Sequence, residues 1–120
     1  MMYRTDTIPE ELMACLVPHL GSERNVLHCV ESDLTLDRRF GVSYLVVTDS
    51  AVIACEPDGE VRSVSLSDVS EARIDELFGS GRMMAVTGRG EIPLVYYSKA
   101  HVPEFARACR AVNELVRGRN

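Results

Sequence analysis

The sequence predicts a mainly β domain of the α+β class. It is a seven-stranded antiparallel half-open barrel capped by a C-terminal amphipathic helix, with an extra helix at the N-terminus. Three observations predict it. The apolar residues change from helical spacing to a period of two near Asn25. From there to residue 97, short alternating segments are punctuated by Asp, Gly and Ser turn signals. A single stretch of helical period returns at 98–118. Short, evenly spaced strands joined by tight turns are the mark of barrels and sandwiches.

The elements follow in order. Thr7-Ile8-Pro9-Glu10 has the spacing of a capping box, in which Thr7 accepts from the Glu10 amide and the Glu10 carboxylate reaches back. Ile8, Leu12, Cys15, Leu16 and His19 or Leu20 continue at helical spacing, and Gly21 stops the run, giving a helix over 8–20. Strand one starts at Asn25, with Val26, His28 and Val30 alternating with Leu27, Cys29 and Glu31. Residues 32–39, with Asp33, Asp37, Arg38 and Arg39, read as a polar loop or edge. Strand two is 42–48, and Asp49-Ser50 turns it into strand three at 51–56. Pro57-Asp58-Gly59-Glu60 is a hairpin signal, because Asp-Gly tolerates positive φ. Strand four, 61–66, alternates cleanly.

Segment 69–78 fits a strand in this antiparallel rhythm, with a helix capped by Ser67 or Asp68 as the competing reading. Gly79-Ser80-Gly81 reads as a turn into 82–86, and Gly88-Arg89-Gly90 as a turn into 92–97. In the closing helix, Val102, Phe105, Ala106, Cys109, Val112, Asn113 and Val116 are assigned to one face. Glu104, Arg107, Arg110, Glu114 and Arg117 are assigned to the other. Pro103 suits the first turn, and Arg110, Arg117 and Arg119 suit the negative end of the helix dipole. The 120 residues form one domain: an N-terminal helical extension at 1–24, a barrel at 25–97 and a capping helix at 98–117.

Composition narrows the function. Apolar runs such as 44–47 and 51–55 are far short of the roughly 20 residues a membrane helix needs, and no leader-like apolar stretch precedes a small-residue cleavage site. A cytoplasmic location follows as the expectation. The net charge of −5 is uneven: residues 1–60 carry eleven acids against four arginines, and residues 61–120 carry seven acids against nine bases. A nucleic-acid binder shows a basic stripe and a high pI, and this chain has neither. Cys15, Cys29, Cys55 and Cys109 are widely spaced inside apolar stretches, so they read as reduced core thiols and not as a C-x-x-C site.

No segment has the spacing of a known catalytic or cofactor motif. Gly79-x-Gly81 and Gly88-x-Gly90 are each followed by a strand, whereas a dinucleotide cradle opens a helix. His19, His28 and His101 lack metal-ligand spacing. Tyr96-Tyr97-Ser98-Lys99 reads as a strand end and helix cap. His28 and Cys29 are strand neighbours that point to opposite faces, and His101 and Cys109 are two helical turns apart. No catalytic, cofactor or metal residues are therefore assigned. Arg38, Arg39, Arg82, Arg89 and Lys99 are the loop-borne bases and the candidate contacts to a partner or to acidic lipid headgroups.

The order of elements resembles the pleckstrin-homology (PH) superfold. Locally, Leu36-Asp37-Arg38-Arg39-Phe40-Gly41-Val42-Ser43-Tyr44-Leu45-Val46-Val47-Thr48-Asp49 is similar to a strand and turn of bacterial PH-like domains. Val64-Ser65-Leu66-Ser67-Asp68-Val69 looks like their step between strands. Leu77-Phe78-Gly79-Ser80-Gly81-Arg82, Tyr97-Ser98 and the helix from Phe105 to Asn113 resemble the N-terminal cytosolic module that precedes the membrane helices of some bacterial ABC exporters. The resemblance covers about 25–117. It implies a non-catalytic binding or regulatory module, on the cytoplasmic face of the inner membrane as part of a larger protein, with the rest of an exporter or another protein as partner. The exporter's nucleotide site is absent here, since no G-x-x-x-x-G-K-[ST] occurs. Inositol-phosphate-binding PH domains crowd bases into the loop after strand one. Here that loop mixes Arg38 and Arg39 with Glu31, Asp33 and Asp37, which argues against a phosphoinositide ligand.

Two rival readings stand beside this one. The first is a free-standing bacterial PH-like protein that self-assembles as a homo-oligomer or binds another protein. The second is a small enzyme using Tyr97, His101 or a cysteine, which requires a deep pocket holding two of them within hydrogen-bond reach.

Overall fold

The computed structural model describes residues 26–34, 40–57, 60–77 and 79–119. The expected helix 8–20 and the bases Arg38 and Arg39 lie outside these residues. Seven strands run in order: β1 (Val26–Leu34), β2 (Phe40–Thr48), β3 (Ala51–Cys55), β4 (Val61–Ser65), β5 (Val69–Leu77), β6 (Ser80–Thr87) and β7 (Gly90–Ser98). A helix, α1 (Val102–Arg119), follows. One-turn 3-10 helices, Leu66–Asp68 and Lys99–His101, join β4 to β5 and β7 to α1. The strands form two antiparallel sheets, a four-stranded one in the order β1-β2-β3-β4 and a three-stranded one in the order β5-β6-β7. The protein is thus mainly β with one C-terminal helix among the described residues.

Period-two patterning explains the main core. Val30, Leu45, Val47, Val52 and Val64 on the first sheet meet Ala72, Met83, Ala85, Val95 and Tyr97 on the second. Phe105, Ala108, Val112 and Val116 of α1 complete that cluster. A second cluster, Val26, Val46, Ile53 and Cys55, lies on the other face of the first sheet. Thr48 helps make the β2–β3 turn: its hydroxyl accepts from the amides of Ser50 at 3.2 Å and Ala51 at 3.0 Å.

The expectations need four corrections. Of the polar stretch read as a loop or edge, residues 32–34 belong to the end strand β1 and not to a loop, because Ser32 and Asp33 find long-range partners on β7. Gly81 lies inside β6, paired with Tyr97, while the positive φ of the preceding turn belongs to Gly79 at +83°. Strand four ends at Ser65, and Leu66 begins the 3-10 turn as a fully buried anchor. On α1, Ala106 is exposed and Ala108 is buried. Steps of 100° put residue 108 close to the azimuth of Phe105 and swing residue 106 off it. The segment from residue 69 is a strand, so the competing helix is excluded.

Gly81 is required by packing. A β-carbon there would lie 2.4 Å from Cε2 and Cζ of Tyr97. The Tyr97 ring in turn stacks on Phe105, with centroids 4.3 Å apart and planes 9° from parallel. A cross-strand glycine therefore lets an aromatic ring join the second sheet to α1.

Candidate functional site

The polar residues converge where the ends of β1 and β7 meet the start of α1. Ser32 Oγ donates to the carbonyl of Tyr96. Asp33 accepts from the Ser98 amide at 3.0 Å and from the Ser98 hydroxyl. His101 lies beside Asp33, with Nε2 4.0 Å from Oδ2, and its Nδ1 is 3.3 Å from Oε2 of Glu104. Burial alone would raise the Asp33 carboxyl. The two Ser98 hydrogen bonds and the neighbouring His101 outweigh it and hold the group below its ordinary value.

This corner contains a hydroxyl, a carboxylate and an imidazole, but the carboxylate stands between the other two. A nucleophilic relay needs the imidazole between hydroxyl and carboxylate, so that the base can take the hydroxyl proton. In this order Asp33 fastens the strand end and helix entry instead.

A groove of about 470 Å³ adjoins the corner, lined by Glu76, Gly79, Ser80, Lys99, Val102 and Pro103. A second, of about 360 Å³, runs from Ser63, Val64 and Ser65 on β4 to Gly88, Arg89 and Ile92. Neither is lined by Tyr97, His101 or a cysteine. Tyr97 is buried, and its phenol is pushed up to about 12 by that burial first and by nearby Cys109 and Glu76 second. Cys29, Cys55 and Cys109 are thiols, not disulfides. Burial raises the Cys29 thiol to about 11, with Glu31 adding to the rise, and burial also raises Cys109. A thiol held protonated is a poor nucleophile.

Among the described candidate bases, Arg89 stands apart from Arg82 and Lys99. Arg82 lies near the start of β6, two residues from Ser80, with Nη2 2.8 Å from Oδ2 of Asp75 on β5. Arg73 bridges Asp75 and Glu91, so the three-stranded sheet carries a row of paired charges. Lys99 and Arg89 sit at opposite ends of the β6–β7 pair, beside Ser80↔Ser98 and Thr87↔Gly90 respectively. Seven residues of strand at about 3.3 Å each separate those ends by about 23 Å.

Arg62 carries no motif in the sequence, yet the fold gives it a long-range partner. Its Nη2 donates to the Leu94 carbonyl at 2.6 Å, while Nε and Nη1 are shielded and meet no acceptor. The sequence reading missed the polar role of Asn113, assigned above to an apolar face. No sequence signal marks either, because their partners lie 32 and 41 residues away.

Among the described residues no group of three or more His, Cys, Asp or Glu is placed to hold a metal ion, and no helix is long and apolar enough to cross a membrane. What these features offer chemically is surface recognition through grooves, paired charges and sheet edges. Compared with known proteins, the chain matches no family model, no curated protein and no solved structure.

Proposed function

We propose that the chain is a PH-like, non-catalytic binding or regulatory module, the N-terminal cytosolic domain of a bacterial ABC exporter. The observation that carries this reading is the element order. A four-stranded antiparallel sheet, a three-stranded one and a single C-terminal helix follow one another as the resemblance implies. The surface chemistry supports a protein partner over an anionic membrane. Acids outnumber bases on β5–β7, with Glu71, Asp75, Glu76 and Glu91 against Arg73 and Arg82, and surface ion pairs such as Arg73–Glu91 contribute only about 0–1 kcal/mol each, so they exchange readily for a partner's groups.

The test is an immunoblot of fractionated source cells with an antibody raised against this chain. The exporter reading expects the signal in the membrane fraction, on a polypeptide several times larger than 13.3 kDa. A 13.3 kDa species in the soluble fraction overturns it.

One observation favours a second reading, a free-standing protein that self-assembles. β4 is the end strand of its sheet, with Ser63 and Ser65 exposed on it, and an end strand is a template for pairing with another chain. Sedimentation equilibrium of the purified chain separates the two. A defined oligomer that dissociates when Ser63 is replaced by Pro supports pairing through β4, and a monomer removes it.

A further inference from the structure

Both end strands of the three-stranded sheet have polar backbone groups filled by side chains from elsewhere. On β5, Asn113 takes the amide and the carbonyl of Ala72. On β7, the Tyr96 carbonyl accepts from Ser32, the Ser98 amide donates to Asp33, and the Leu94 carbonyl accepts from Arg62. The end strand β4 is different. Beyond its two ends, the Leu66 amide donates to the Ser50 carbonyl at 2.9 Å and the Glu56 amide to the Glu60 carbonyl at 2.8 Å. The register between these bonds is unbroken, so Arg62 and Val64 direct their N–H and C=O groups to β3. Those of Val61, Ser63 and Ser65 point to the outer edge, where no described residue bonds to them. The same edge is one wall of the groove of about 360 Å³. Ser63, Val64 and Ser65 stand on one side of it, and Thr87, Gly88, Arg89 and Ile92 on the other.

We propose that this edge takes an extended peptide of a partner protein. The peptide adds antiparallel to β4 and carries an apolar residue followed two positions later by an acidic one. Its backbone bonds to Val61, Ser63 and Ser65, the mode of strand addition. Its residues opposite Arg62 and Val64 then fall in non-hydrogen-bonded pairs, with β-carbons about 4.5 Å away. Val64 belongs to the main core and Ile92 packs against that core, so an apolar residue fits opposite Val64. Arg62 lies on the same face, two residues away. Its Nε and Nη1 have no acceptor, and a buried donor left unfilled is costly. The residue is half-buried on a long stem, so a rotamer change turns those donors to a carboxylate opposite it. A second copy of the chain does not supply that carboxylate. Antiparallel pairing of two β4 strands about Ser63 sets Arg62 opposite Val64 and leaves its donors unfilled. The proposal rests on the chain being a binding module for protein, and membership of an exporter is decided separately by the immunoblot.

The test is an amide NMR titration of the full chain with two synthetic blocked peptides, Thr-Thr-Val-Thr-Glu-Thr-Thr and the same sequence with Lys in place of Glu. The Glu peptide should shift the amides of Val61, Ser63 and Ser65 and slow their hydrogen exchange. The Lys peptide should bind about tenfold more weakly, and Arg62→Gln should abolish that difference. No shift at those amides with millimolar Glu peptide overturns the proposal. Equal binding of the two peptides, or a preference that persists in Arg62→Gln, overturns it as well. A free chain whose Ser63 and Ser65 amides are already protected in a dimer assigns the edge to a second copy and also overturns it. If Arg62→Gln does not fold, the comparison of the two peptides on the unsubstituted chain decides.

Discussion

Asn113 gives Ala72 both hydrogen bonds that a neighbouring strand would give. The Asn113 carboxamide oxygen accepts from the Ala72 amide at 2.7 Å, and its NH₂ donates to the Ala72 carbonyl at 3.0 Å. Ala72 lies on β5, the end strand of the three-stranded sheet. One side chain on α1 thus satisfies that edge and fixes the helix against it. Replacing Asn113 by Ala strands a buried donor and acceptor, at a cost of about 2 kcal/mol. Asn113→Asp keeps the acceptor, loses the donor and sets a charge against the carbonyl, so it should be no better than Ala. Urea denaturation checks this as a lowered midpoint with an unchanged slope.

Gly81 is the second sensitive position. Ala there drives its methyl into the Tyr97 ring, which is buried and stacked on Phe105. Overpacking of this kind costs about 2–3 kcal/mol. The cost should shrink when Tyr97 is also replaced by Leu, since the two residues share one space. A double-mutant cycle in thermal unfolding measures that coupling.

Asp33 predicts behaviour in acid. Its carboxyl sits below the ordinary value in the folded chain, so the unfolded chain takes up the proton first as pH falls. The contribution of Asp33 is fully present above about pH 4 and is lost as the pH drops through the folded value. Asp33→Asn should be less stable than the unsubstituted protein at pH 7 and should lose less of its stability between pH 5 and pH 2. Chemical denaturation across that range checks it.

His28 predicts a loss in mild acid, at a higher pH than that of Asp33. Burial lowers its pKa, although Glu114 on α1 pulls the other way. A folded value below the ordinary 6.5 means that the unfolded chain binds this proton more readily. Stability contributed by the neutral imidazole is present above the unfolded value and falls as pH drops from 7 toward 5. His28→Gln should flatten that part of the profile relative to the unsubstituted protein.

Much of the fold was legible because strand and turn signals are local. The Asp49-Ser50 turn, the Asp58-Gly59 hairpin signal and the alternation of 61–65 each lie within a few residues of the strands they join, and β2, β3 and β4 were read to within two residues at each end. What stayed hidden depends on distant partners. The polarity of Ser32 and Asp33 reads as loop until β7 supplies the Tyr96 carbonyl and Ser98. Gly81 reads as a turn residue until the Tyr97 ring occupies its β-carbon position. Arg89 and Lys99 were legible as exposed charge, but their separation along the β6–β7 pair, and the Asp75 partner of Arg82, are set by register.

Reading the source gene past the codon for Asn120 tests the proposed role most directly. An exporter's accessory domain is followed by several spans of about 20 apolar residues and then a G-x-x-x-x-G-K-[ST] loop, the signature of membrane helices joined to a nucleotide site. A stop codon directly after Asn120 contradicts that role and leaves a self-contained protein whose partners are found by pull-down and whose assembly is read from its mass in solution.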